Sequence, residues 1–104
     1  MMYAVKVEYD TPTSVGAFTD IMTFPNVMAA TAVFNALMIA YPFGKPIQVR
    51  SKKDKSPVMI EVISAALYQA DASGREAMLA AVETGSAILM DQTGALDELD
   101  NNPN

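Results

Sequence analysis

The chain has 104 residues, 51% hydrophobic and 18% charged, the composition of one folded domain and not of a disordered segment. It contains no cysteine, histidine or tryptophan, so disulfides, thiolate or imidazole nucleophiles, zinc fingers and histidine-ligated metal or haem sites are excluded. The net charge of −5 is uneven, with six basic and four acidic groups in residues 1–55 against one basic and eight acidic groups in residues 56–104. A chain of that sign repels nucleic acid at long range, and no direct nucleic-acid contact is expected.

The opening residues 3–9 alternate strictly, with Tyr3, Val5, Val7 and Tyr9 on one side and Ala4, Lys6 and Glu8 on the other, the pattern of a half-buried strand. Lys6, Glu8 and Asp10 also interrupt the apolar run that a secretory signal needs, so the sequence reads as cytoplasmic. Turn formers fill residues 10–16, and residues 17–24 offer Phe18, Ile21, Met22 and Phe24 as a second strand, hairpin-paired with the first.

Pro25 ends that strand, Asn26 can cap, and residues 27–41 are predicted helical until Pro42 and Gly44 stop them. Only Thr31 and Asn35 are polar in this helix, which leaves it no solvated face of ordinary width. The charge-free run from 21 to 44 is broken by Pro25, Asn26, Asn35 and Pro42 and is rich in alanine, so a membrane span is not expected. Burial on more than one side is the soluble alternative. A second copy of the chain could supply the missing cover, and Val27, Val33, Phe34, Leu37 and Met38 are its expected dimer interface.

Residues 47–50 alternate again as a third strand, and a basic loop follows. Ser56-Pro57 has the form of a cap residue and a first-turn proline, and it opens a stretch to about residue 72. Val58, Ile60, Val62 and Ile63 are strand formers, but Glu61, Ser64, Tyr68 and Asp71 make a helical polar stripe, and the spacing predicts a helix. Ser73 to Glu76 has capping-box spacing, predicting another helix over 74–83 that stops near Gly85. Residues 87–90 fit either a fourth strand or a helical turn. The expected fold is therefore α+β: a small, mostly antiparallel sheet in the order β-β-α-β-α-α, with helices covering one face. Residues 1–92 form the single domain, and 93–104 form an acidic tail.

No constellation in the chain specifies a reaction or a cofactor, and none is expected. Glu61 and Asp71 would lie about 15 Å apart along a helix, too far for a paired acid and base. Asp97, Glu98 and Asp100 lack the glycine of a calcium loop. Two surfaces stand out instead. One is the acidic C-terminal segment, where Asp91, Leu96, Asp97, Glu98, Leu99 and Asp100 could dock on a protein with a basic surface. The other is the loop Arg50, Lys52, Lys53, Lys55 and Ser56, which at a helix N-terminus would suit a phosphate-bearing small molecule or nucleotide. The leading expectation is a small, non-enzymatic, homodimeric interaction protein of the accessory or inhibitor type, of a size that would suit a phage or mobile element.

Overall fold

The computed structural model describes residues 1–12, 17–51 and 53–93. Along the chain these form β1 (Met2–Asp10), β2 (Phe18–Phe24), α1 (Val27–Ala40), β3 (Pro46–Arg50), β4 (Pro57–Ala70), α2 (Arg75–Thr84) and β5 (Ile88–Gln92). The α+β class and the antiparallel sheet agree with the sequence. The strands build one curled sheet in the order β2-β1-β4-β3, and β5 also pairs with β4. Thus β4 is the spine: β1 runs along one side of it, while β3 and β5 share the other side end to end.

The helix expected over 56–72 is strand β4. Its strand formers win because both of its edges find partners, which no isolated spacing pattern can reveal. The misleading feature is a bulge. Tyr9 lies opposite Val62 and Glu8 opposite Ser64, so Ile63 is an extra residue on β4. Buried side chains therefore fall at Ile60 and Val62, then at Ala65 and Leu67, and a strand with that one-residue slip imitates helical spacing. Pro57 begins the strand, where its missing N–H is tolerated. Of residues 87–90, open between two readings, 88–90 are strand within β5.

One face of the sheet is covered by α1. Asn26 caps this helix, its side-chain oxygen accepting from the N–H groups of Met28 at 2.7 Å and Ala29 at 3.4 Å. Ala30, Phe34, Leu37 and Ala40 then turn onto Val5, Val7, Val62 and Leu67 to make the main core. A 3₁₀ turn at Tyr41–Phe43 ends in Gly44, whose φ of +60° is the left-handed conformation glycine adopts without strain.

The second helix differs in placement from two helices on a single face. By strand alternation Ala4 points away from α1, yet it is fully buried, as is Met78 of α2. Since α2 packs on β1 and β2, it is the element that supplies cover on that reverse face. The helix starts one residue later than expected, with Gly74 as its N-cap and no side-chain cap from Ser73, and it ends on Gly85 at φ +82°. Among the described residues no helix is long and apolar enough to cross a membrane.

Candidate interaction surface

The basic segment forms the tip of the β3–β4 hairpin and not the start of a helix, so the helix dipole that would favour a phosphate there is missing. Its polar groups are largely turned on one another. Asp54 Oδ1 accepts from the Ser56 backbone N–H at 3.1 Å and from the Ser56 hydroxyl at 2.6 Å. These bonds, the hydroxyl's first, hold the Asp54 carboxyl below its usual pKa. Arg50 Nη1 donates to the Lys55 carbonyl at 3.0 Å, and the Lys53 N–H donates to Ser51 Oγ at 3.2 Å. Lys55 sits at φ +63°, completing the turn with its N–H on the Ser51 carbonyl at 2.9 Å. Lys53 and Lys55 are exposed. Lys52 lies outside the described residues.

Of the acidic docking residues, Asp91 is described: it is exposed in β5, and its carboxylate accepts from the Gln92 N–H at 2.8 Å. Leu96, Asp97, Glu98, Leu99 and Asp100 lie outside the described residues. The neighbouring Ile88, Leu89 and Met90 are all exposed. A polar cleft of about 270 Å³ on the reverse face of the sheet brings together Lys6, Glu8, Thr19, Ser64, Tyr68 and Gln92. Among the described residues no three carboxylates gather as a metal site.

The dimer residues expected on α1 divide. Phe34 and Leu37 are 1% and 4% exposed, and Val33 and Met38 pack against the same core, so the chain's own sheet occupies these four. Val27 alone of the five is exposed. The outward face of the helix is a different set. Met28, Ala32, Asn35 and Ile39 recur at intervals of four, three and four residues, and all are exposed. Met28 stands 76% exposed and Ile39 65%, and Phe43, just past the helix, 71%. Nothing between residues 21 and 44 carries a charge. The rim does: Lys45 Nζ lies 5.7 Å from the centre of the Phe43 ring, a cation–π contact.

The sequence pattern alone does not tell which face of this helix is exposed. With apolar residues all round, there is no polar side to define the inside. Asn35 was the available marker, because a polar residue in such a helix faces out, and Met28, Ala32 and Ile39 lie on its side.

No protein-family model, curated protein or solved structure matches the chain. The functional reading therefore rests on the chain's own surfaces.

Proposed function

We propose that this is a small, non-enzymatic interaction protein that acts by burying the outer face of α1 against another protein surface. The observation that carries the reading is the uncharged face itself, where Met28, Ile39 and Phe43 each leave more than half their area in water. Single exposed apolar residues are ordinary, but a contiguous set without an intervening charge marks a contact surface. Fully burying a large apolar side chain contributes about 1.5–3 kcal/mol, so three anchors are a useful share of a binding energy.

The test is site-specific photocrosslinking in the producing cell, with the photoreactive residue at Asn35 on α1 or at Glu76 on α2. A discrete crosslinked protein species from Asn35, much weaker from Glu76, is the expected result. Equal yields from the two positions, or none from Asn35, would overturn the proposal.

A further inference from the structure

We infer that the occupant of the α1 outer face is a second copy of this chain, packed antiparallel, helix against helix, across a two-fold axis. The inference rests on the proposed role of that face and names its partner.

The first argument is charge. A basic partner would find no carboxylate here, since the charge-free run extends from 21 to 44 and the acidic groups concentrate after residue 56. An acidic partner would meet only Lys45 at the rim. The matching surface must itself be free of charge, because a charged group buried opposite Met28 or Ile39 would lose its hydration without a partner. This chain carries such a surface, and there two molecules of net charge −5 can touch without opposing like charges. The outer face of α2, with Arg75, Glu76 and Glu83 exposed, does not offer that.

The second argument is shape. An axis passing between positions 33 and 34 maps the stripe onto itself: Met28 meets Ile39 of the other copy, and Ala32 meets Asn35. At both ends of the stripe a large apolar side chain of one copy therefore lies against a large apolar side chain of the other, Met28 on Ile39, with the smaller Ala32 and Asn35 between them. Such an isologous contact closes as a dimer and cannot propagate. Asn35 would sit close to the axis in an otherwise apolar contact, the position in which a lone asparagine fixes register.

The third argument is area. From Met28 to Ile39, the stretch this axis pairs, the face runs about 17 Å along the helix axis, and a helix is about 10 Å across. Two such faces pressed together cover on the order of 400 Å² in outline, the range of a weak, transient contact. The dimer should therefore depend on concentration, with a Kd on the order of tens to hundreds of micromolar.

Sedimentation velocity of the full chain from about 1 to about 200 µM tests this by mass action. The wild type should shift from one chain mass towards twice that mass across the range. I39E should stay monomeric with unchanged circular dichroism, since Ile39 faces water in the single chain. Combining M28K with I39E should restore the dimer, because these positions meet only between antiparallel copies and are too far apart within one helix to pair. A wild type that remains monomeric throughout, an I39E that dimerises like the wild type, or a double variant that remains monomeric overturns the arrangement. If the wild type is monomeric while Asn35 still crosslinks to a different protein, the docking role stands and the second copy is wrong.

Discussion

The two helices of this protein solve the same packing problem and then present opposite faces to water. Each turns apolar side chains onto the sheet: α1 brings Ala30, Phe34, Leu37 and Ala40, and α2 brings Met78. Outward, α2 shows Arg75, Glu76 and Glu83, whereas α1 shows Met28, Ala32, Asn35 and Ile39. The sheet accounts for the inward face of either helix. Of the two helices, only α1 carries exposed large apolar side chains, Met28 and Ile39 above all, and the proposed contact surface rests on that asymmetry.

The comparison breaks most visibly on the buried side. Phe34→Ala should destabilise the chain by about 3–5 kcal/mol, because it removes a ring 1% exposed at the centre of the main core. Met78→Ala should cost about 2–5 kcal/mol, toward the lower part of that range if α2 can settle onto the sheet. Chemical denaturation of the two variants ranks them, and a Phe34 variant as stable as wild type would mean that α1 is not the main cover of the sheet. The smallest expected effect lies far from both helices, in the β3–β4 turn. Asp54 has a lowered pKa in the folded chain, so its hydrogen bonds support the turn above the unfolded carboxylate pKa and are lost as pH falls through the lower folded value. Carbon-detected NMR titration of the Asp54 carboxyl should give a midpoint below that in the S56A variant. Equal midpoints would show that the Ser56 hydroxyl does not hold the turn.

Much of this architecture was legible in the residues, and the failures have local causes. Alternation placed β1, β2 and β3 within a residue or so, and Asn26 with Pro42 and Gly44 bounded α1, because each signal is contained in its own segment. The β4 segment failed because the bulged Ile63 interrupts its alternation, and what enforces a strand there is pairing with β1, β3 and β5, which is distant in sequence. An undecided reading of β5 has another source: Ile88, Leu89 and Met90 are exposed on both sides, so no inside-outside alternation exists to be read. With the helix expected over 56–72 went the N-terminal dipole that would have favoured an anion there, and Ser56 donates its hydroxyl to Asp54. In α1 most of the residues expected at a dimer interface are taken by the chain's own core. Phe34 and Leu37 are the bulkiest apolar candidates there, and bulk is what the core takes first.

In the proposed role the outer face of α1 is a contact surface and that of α2 is not. Amide NMR spectra recorded on dilution test it most directly, because each residue reports separately. Shifts that move with concentration across residues 27–43 while those of 75–84 stay fixed are the predicted result. Changes centred on α2 or β5, with α1 unmoved, would contradict it.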